Sequence, residues 1–153
     1  MIRKMELEDI NKVAELEKNI FSMPWSEKSF RDTLTSQDTI YLVEVFEEEI
    51  VGYCGIWISF DTADLCNMAV APSQRRKGIA KRLLQEIFSL AEKRQVERIL
   101  LEVRESNLGA IALYRESGFQ QIGIRKGYYH APEEDAILME CVVPVISTIQ
   151  SER

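Results

Sequence analysis

The sequence contains a single histidine, His130, among 153 residues. A metal site with two histidine ligands, or a catalytic triad built on histidine, would need a partner that the chain does not have. There is also no GxSxG nucleophile elbow, no GxGxxG fingerprint and no glycine-rich loop followed by Lys-Ser or Lys-Thr. These absences exclude the common serine hydrolases, dinucleotide-binding folds and P-loop nucleotide hydrolases.

Cysteine is scarce, and its spacing is uninformative. Cys54, Cys66 and Cys141 stand singly in apolar stretches, without any CxxC pair. This pattern argues against a disulfide framework or a zinc site, so we expect reduced thiols, no metal and a cytoplasmic protein. The first residues lack an apolar signal region, and no apolar run approaches the length that spans a membrane.

The charge balance restricts the partners. The formal net charge is −6 at pH 7, which argues against general binding of nucleic acid through its phosphates. One short basic stretch in an acidic chain instead suggests a phosphate-bearing cofactor on one surface and a cationic substrate on another. The length predicts a single domain over residues 1–144, with a flexible tail over 145–153.

Hydrophobic periodicity predicts an α/β protein in which helices cover a mixed sheet. Two helices are expected first, over 8–21 and from an N-cap at Ser26 through Leu34. A hairpin over 39–46 and 50–60 precedes a strand over 65–71 and a strongly amphipathic helix from Ile79 to Ala91. A central strand buried on both faces (98–103), a helix between Asn107 and Gly118, and strands over 119–125 and 136–143 complete the prediction.

The most informative stretch is Arg75-Arg76-Lys77-Gly78-Ile79-Ala80, which lies where a strand gives way to the amphipathic helix. A helix N-terminus presents unpaired N–H groups and the positive end of its dipole. Small residues at that point let a phosphate approach the backbone, so the stretch predicts an anion site. The alternative interpretation is a solvated basic loop.

Three polar residues downstream could carry chemistry. Glu102 interrupts the apolar strand, and burial of a carboxylate raises its pKa; the alternative is a glutamate facing water or an arginine such as Arg104. Tyr114 lies about two helical turns after Asn107 on the same side of the helix, although it could simply pack in the core. Asn107 is expected to cap the helix and could also contact a ligand.

These residues together resemble the Gcn5-related N-acetyltransferase (GNAT) superfamily. Its phosphate-binding signature is Arg or Gln, two residues, Gly, one residue, then Gly or Ala, and it is matched by Arg75, Gly78 and Ala80. Within the superfamily the chain is most similar to the RimI-type ribosomal-protein alanine N-acetyltransferases. That similarity is carried by Pro24-Trp25-Ser26-Glu27, Leu101-Glu102-Val103-Arg104, Ser106-Asn107, Ile111-Ala112-Leu113-Tyr114, Tyr128-Tyr129 and Glu134-Asp135-Ala136-Ile137.

The resemblance implies a fold, a cofactor and residue roles. The fold would be a mostly antiparallel sheet with one splayed pair of parallel strands and about four helices, and the co-substrate would be acetyl-coenzyme A. Glu102 would accept a proton, and Tyr114 would donate one to the departing thiolate. Cofactor contacts would come from Met68, Ala69 and Val70, from Arg75, Arg76, Lys77, Gly78, Ile79, Ala80 and Lys81, and from Asn107.

Three positions depart from the commoner pattern of the family. Ala80 replaces a glycine, and Gly109 and Gly127 stand where larger residues are more usual. Gly109 should weaken its helix by about 0.5–1 kcal/mol relative to alanine unless packing requires a glycine there. Gly127 lies near the expected acceptor loop.

The acceptor would be the N-terminus of a basic ribosomal protein, on the same resemblance. Tyr128, Tyr129 and Asp135 are the expected acceptor contacts, with Trp25 as an opposite wall. The alternatives are a solvated charged turn at Glu133 and Glu134 and a core position for Trp25. Another N-terminus, a small amine, or a non-catalytic acyl-coenzyme A sensor remain competing functions.

Overall fold

The computed structural model describes residues 1–144, so the tail predicted over 145–153 lies outside the described residues. The chain divides into two compact units. The first comprises Met1–Trp57 and Leu65–Ile87, and the second comprises Ile58–Asp64 and the chain from Phe88 onward. The assignment of residues 1–144 to a single domain stays a prediction.

The first unit begins with a short strand and two helices. Strand β1 (Ile2–Lys4) leads through a 3-10 turn to helix α1 (Ile10–Ile20) and helix α2 (Glu27–Leu34). Ser26 caps α2 as predicted, because its side chain accepts a hydrogen bond from the Ser29 N–H. Helix α1 starts later than predicted because the 3-10 turn, Leu7–Asp9, occupies the first residues of the periodic stretch.

Strands β2 (Thr39–Phe46) and β3 (Glu49–Ser59) form the predicted hairpin, and β1 pairs with β2, also antiparallel. The buried core of this unit contains Met5, Ile10, Val13, Ala14, Phe30, Tyr41, Val43, Tyr53 and Ala69. Strand β4 (Thr62–Val70) and helix α3 (Ile79–Lys93) each pass from one unit to the other. Helix α3 buries Ile79, Leu83, Leu84 and Ile87 at the three-to-four-residue spacing that predicted it.

The second unit contains β5 (Arg98–Arg104), α4 (Leu108–Glu116), β6 (Gln120–Tyr129) and β7 (Glu134–Val142). Strand β7 pairs antiparallel with both β5 and β6. The hairpin β6–β7 is longer than predicted, so Tyr128, Tyr129, Glu134 and Asp135 belong to strands and not to a loop. The prediction that β5 is buried on both faces is confirmed for one face only, since Leu100, Glu102 and Arg104 are half-buried.

The predicted mixed sheet is confirmed: among residues 1–144 it contains seven strands, in the order β1-β2-β3-β4-β5-β7-β6. Strands β4 and β5 are parallel, and the other pairs described above are antiparallel. The parallel ladder contains three pairs, from Thr62↔Arg98 to Asp64↔Leu100, although both strands continue beyond it. This is the pattern expected of a parallel pair that splays apart.

Candidate active site

The basic turn lies at the start of α3, in the first unit. Residues 75–78 are exposed, and Arg76 and Gly78 have positive φ angles of 66° and 78°. Arg75 Nε donates a hydrogen bond to the Val70 carbonyl oxygen (3.1 Å), which ties the turn to the end of β4. A phosphate could therefore reach the N–H groups at the helix start, and Gly78 occupies a conformation that other residues adopt only with strain.

Lys77 has contacts inside the turn as well. Its Nζ donates to Gln74 Oε1 (2.9 Å) and lies 5.9 Å from the centre of the Phe46 ring. At the beginning of α3, Ile79 is buried, Ala80 is half-buried and Lys81 is exposed. The turn thus has the exposure, the cations and the backbone geometry that fit a pyrophosphate.

Arg82 supports this turn and was missed by the sequence analysis. Its Nη1 donates to the Lys77 carbonyl oxygen (3.0 Å), while Nη2 lies 3.6 Å from Glu44 Oε1. Glu44 is 5% exposed and also contacts the Met1 amino group. A glutamate in the apolar run of β2 was the available signal, because buried carboxylates need cationic partners.

Met68, Ala69 and Val70 form the end of β4. Ala69 and Val70 are buried, and Met68 is half-buried. These residues lie beyond the last pair of the parallel ladder. That position suits a strand whose backbone groups pair with an extended ligand.

In the second unit, Glu102 lies in the middle of β5, opposite Leu138 of β7. Its side chain is 30% exposed, and its Oε2 lies 3.3 Å from Arg125 Nη2. The neighbouring Glu102 carboxylate raises the pKa of the Tyr128 hydroxyl group. Of the two interpretations left open by the sequence, the structure supports a partly exposed glutamate with an arginine partner, although that arginine is Arg125.

Arg104, the arginine suggested by the sequence, has different partners. It donates to Glu134 Oε1 (3.0 Å) and to the carbonyl oxygens of Pro132 (2.9 Å) and His130 (2.8 Å). Its guanidinium group also lies 4.5 Å from the centre of the Tyr129 ring. Arg104 therefore organises the end of the β6–β7 hairpin.

Helix α4 places Asn107 and Tyr114. Asn107 Oδ1 accepts a hydrogen bond from the Ala110 N–H (3.2 Å), so the predicted cap is present. Tyr114 is 7% exposed, and its ring meets Phe119 edge-on at 5.5 Å. This packing restricts the orientation of the tyrosine ring. It is compatible with both interpretations of Tyr114, a core residue and a proton donor.

The predicted acceptor residues gather at the end of the β6–β7 hairpin. The rings of Tyr128 and Tyr129 meet edge-on at 5.0 Å, and burial with the nearby charge of Glu102 raises the pKa of Tyr129 to about 12. Asp135 Oδ1 accepts a hydrogen bond from the Gly127 N–H (2.8 Å), and Asp135 Oδ2 lies 3.9 Å from Lys126 Nζ. Gly127 has a φ of 58°, which explains the glycine at this position.

The two acidic neighbours of Asp135 differ. Glu133 is exposed, as a solvated turn predicts. Glu134 instead accepts hydrogen bonds from the Ser106 N–H (2.7 Å) and from Arg104. Its carboxylate joins the start of β7 to the segment before α4, so the solvated interpretation is wrong for Glu134.

Trp25, the predicted opposite wall, lies in the first unit. Its ring is 5.3 Å from that of Phe30, and its backbone N–H donates to Glu17 Oε2 (2.9 Å). Glu17 is 4% exposed and accepts a second hydrogen bond from the Tyr53 hydroxyl (2.7 Å). The half-buried tryptophan therefore packs at the edge of the core, as the alternative interpretation expected.

Membrane-spanning helices, metal sites and disulfides were sought in the described residues, 1–144. Within this range no helix is both long and apolar enough to cross a membrane. The same residues contain no group of three or more histidine, cysteine, aspartate or glutamate side chains arranged to hold a metal ion. Within the described residues none of the three cysteines forms a disulfide, and Cys54 and Cys141 are buried.

Residues 10–119 match the family model of the acetyltransferase (GNAT) family. The chain belongs to the acetyltransferase (GNAT) family. It is accordingly an N-acetyltransferase that uses acetyl-coenzyme A, as the resemblance of its motifs implied. The predicted fold is confirmed by the same match and by the solved structures below.

Two curated relatives and two solved structures are particularly similar to the chain. A Bacillus subtilis protein provisionally named a ribosomal protein bS18-alanine N-acetyltransferase is 40% identical, over 90% of this chain and 92% of its own length. The Escherichia coli K12 ribosomal protein bS18-alanine N-acetyltransferase is 35% identical, over 90% of this chain and 94% of its own length.

The crystal structure of the Escherichia coli ribosomal-protein-S18-alanine N-acetyltransferase has a TM-score of 0.87 at 32% identity, covering 94% of this chain and 93% of that one. The Arabidopsis thaliana NAA60 complex with acetyl-coenzyme A has a TM-score of 0.82 at 19% identity, covering 93% of this chain and 97% of that one. The second similarity shows the shared fold.

Proposed function

We propose that this protein acetylates the α-amine of the N-terminal alanine of small-subunit ribosomal protein bS18. The observation that carries the proposal is the 35–40% identity, over 90% of the chain, to proteins named for that reaction. The chemistry of the second unit is compatible with it, because a carboxylate and a fixed tyrosine are both present. We expect the reaction to take place in the cytoplasm, with a protein as acceptor and not a nucleic acid.

The basic turn would hold acetyl-coenzyme A by its pyrophosphate. Arg75, Arg76 and Lys77 supply positive charge, and the backbone from Gly78 to Lys81 supplies N–H groups at the start of α3. The end of β4, residues 68–70, would pair with the pantetheine arm, and Asn107 would contact the cofactor near its reactive end. When bound, the cofactor supplies an acetyl group activated as a thioester.

Glu102 would take the proton that the acceptor amine must lose before it reacts. An α-amine has a pKa of about 7.7–8.0, so its neutralisation at pH 7 costs only about 1 kcal/mol, against about 4.6 kcal/mol for a lysine side chain. A single modest base is therefore sufficient for an N-terminal acceptor. Since Glu102 is 30% exposed, water can reach it and relay the proton.

Tyr114 would hold a proton at its hydroxyl oxygen for the departing sulfur. A phenol with a pKa near 10 gives its proton to a thiolate, whose conjugate acid has a pKa near 8.5, at a cost of about 2 kcal/mol. Positioning must offset that cost, and the packing of the ring against Phe119 provides it. Overall the acceptor nitrogen loses two protons: Glu102 passes one to solvent, and Tyr114 recovers the other.

The acceptor would bind at the end of the β6–β7 hairpin. Tyr128 links this end to Glu102, and Tyr129 lies against Arg104. Asp135 fixes the backbone at Gly127, so we expect it to shape the acceptor site. Trp25 would affect acceptor binding only indirectly, by holding the segment between α1 and α2 in place.

Mass spectrometry of an amine competition tests the proposal. The purified protein receives acetyl-coenzyme A and two basic peptides, one with a free N-terminal alanine and one that is N-terminally blocked but contains lysine. We expect acetylation of the free alanine terminus alone. Acetylation of lysine, or of neither peptide while acetyl-coenzyme A binds, would contradict the proposal and favour a different amine or a sensor.

A further inference from the structure

The candidate base of this enzyme already has a cation beside it. Arg125 extends from β6 to Glu102 on β5, with 3.3 Å between Nη2 and Oε2. The guanidinium group also lies 5.1 Å from the centre of the Tyr128 ring, and the same glutamate raises the pKa of that tyrosine. Arg125 is thus in contact with the carboxylate to which an acceptor amine must bring its proton.

A second carboxyl group lies near this one. Burial and the charge of Glu102 raise the pKa of Asp64, so the two carboxyl groups are within electrostatic reach of each other. Neighbouring carboxylates repel each other, and a nearby cation reduces that repulsion. Arg125 is one such cation beside Glu102, and a positively charged acceptor would be another.

The contact is weak enough to be exchanged. Arg125 is 57% exposed and Glu102 is 30% exposed, so solvent reaches both partners. Ion pairs between partly exposed side chains contribute little to stability. The side chain can therefore turn into solvent without leaving a buried charge behind.

We propose that Arg125 is a placeholder for the α-ammonium group of the acceptor, which displaces it from Glu102 on binding. This inference rests on the proposed function, since it requires a cationic amine as acceptor. The exchange replaces one cation by another, so a positive charge stays beside Glu102 while the acceptor binds. The acetylated N-terminus is a neutral amide that cannot form an ion pair with Glu102, so Arg125 then resumes its contact.

A double-mutant cycle on peptide binding tests the exchange. The Kd of the basic alanine peptide is measured by calorimetry on the complex with coenzyme A, which holds no acetyl group to transfer. We expect Arg125→Gln to lower this Kd about two- to fivefold, the range for an exposed ion pair. In the Glu102→Gln background the same substitution should leave the Kd unchanged, because no carboxylate remains for which the two cations compete.

Two controls make the measurement specific. Arg98→Gln removes a comparable arginine, which pairs with Glu140 at 2.7 Å and is 51% exposed, and it should not alter the Kd. The N-acetylated form of the peptide has no α-ammonium group, so its Kd should be the same in the wild type and in Arg125→Gln. Thermal unfolding checks that each variant is folded. If Arg125→Gln does not fold, Arg125→Ser replaces it in the same measurements.

The outcomes separate the inference from the proposed function. A weaker or unchanged Kd in Arg125→Gln would overturn the exchange, and equal tightening in both backgrounds would show that Arg125 merely obstructs the site. Acetylation of the same peptide by the wild type is measured in parallel. If it occurs and the Kd does not fall, only the role of Arg125 is wrong; if the wild type neither binds nor acetylates the peptide, both proposals are wrong.

Discussion

Glu102 shows what a single residue reveals in the sequence and what it conceals. The family resemblance implied a proton acceptor at Glu102, and the position of a carboxylate inside an apolar strand indicated that it needs partners. Those partners, Arg125 and Tyr128, come from β6 and depend on the pairing of β6 with β7 and of β7 with β5. The sequence suggested Arg104, which is closer along the chain but is occupied by Glu134.

The roles of Glu102 and Tyr114 predict a loss of turnover without a loss of cofactor. General acid–base groups typically contribute about 10²–10⁴-fold, so we expect Glu102→Gln and Tyr114→Phe each to lower kcat by at least about 100-fold. The Kd of acetyl-coenzyme A should remain within about twofold, because neither group is assigned to hold the cofactor. Release of free thiol measures kcat and calorimetry measures the Kd; weaker binding of acetyl-coenzyme A would contradict the roles.

Glu134 predicts a pH-dependent stability. The hydrogen bonds from Ser106 and Arg104 lower the pKa of the Glu134 carboxyl group in the folded chain. Such a group stabilises the fold above its unfolded pKa of about 4.3, and this contribution is lost as the pH falls through the folded pKa. We expect Glu134→Gln to be less stable than the wild type at pH 7, with a difference that shrinks below about pH 4.3.

Urea unfolding at several pH values measures this difference. Glu133→Gln is the matched control, because Glu133 is exposed, and it should unfold like the wild type. If the free energies of unfolding of Glu134→Gln and the wild type differ by the same amount at pH 7 and below about pH 4.3, the carboxylate charge is not what stabilises the hairpin.

At the scale of elements, Gly109 and Gly127 differ in whether the structure requires a glycine. A Cβ added at Gly109 in α4 would meet no atom within 4 Å, so packing does not require this glycine. At Gly127 the φ of 58° is strained for other residues, and a Cβ would lie 3.2 Å from Glu133 Oε2. The sequence marked both positions as departures, but the backbone conformation distinguishes them.

Gly109→Ala should therefore stabilise the protein by about 0.5–1 kcal/mol, because it reduces the entropy lost when α4 forms. Gly127→Ala should destabilise it by about 1–2 kcal/mol, the cost of a left-handed conformation for a residue with a Cβ. The free energy of unfolding in urea measures both. Destabilisation by Gly109→Ala would mean that α4 needs the glycine for a reason other than space.

Most elements were predictable because their signals are local. Ser26, Asn107 and the spacing of apolar residues in α3 identified helices that the structure contains. The ends of β6 and β7 were missed because Tyr128 and Tyr129 are held in the hairpin by partners from β7 and by Arg104, which no local pattern reports.

At the scale of the whole molecule, the net charge of −6 bears on the acceptor. An acidic protein attracts a basic peptide, and salt screens that attraction. The Debye screening length falls from about 10 Å at 0.1 M salt to about 3 Å at 1 M salt. With acetyl-coenzyme A saturating, we expect kcat/KM for the basic alanine peptide to fall about tenfold as salt rises across this range. A neutral alanine peptide is the control, and an equal fall for both peptides would exclude attraction by overall charge.

The sequence by itself determined the family and the fold class, and it supplied the candidate residues for the chemistry. It could do so because helix caps, apolar periodicity and the basic turn depend on neighbours a few residues away. The tertiary structure decided which charges meet: Glu102 with Arg125, Glu134 with Arg104 and Ser106, and Arg82 with Glu44 and the turn. Each of these contacts joins separate elements, and strand register or helix packing, not local sequence, brings their atoms within bonding distance.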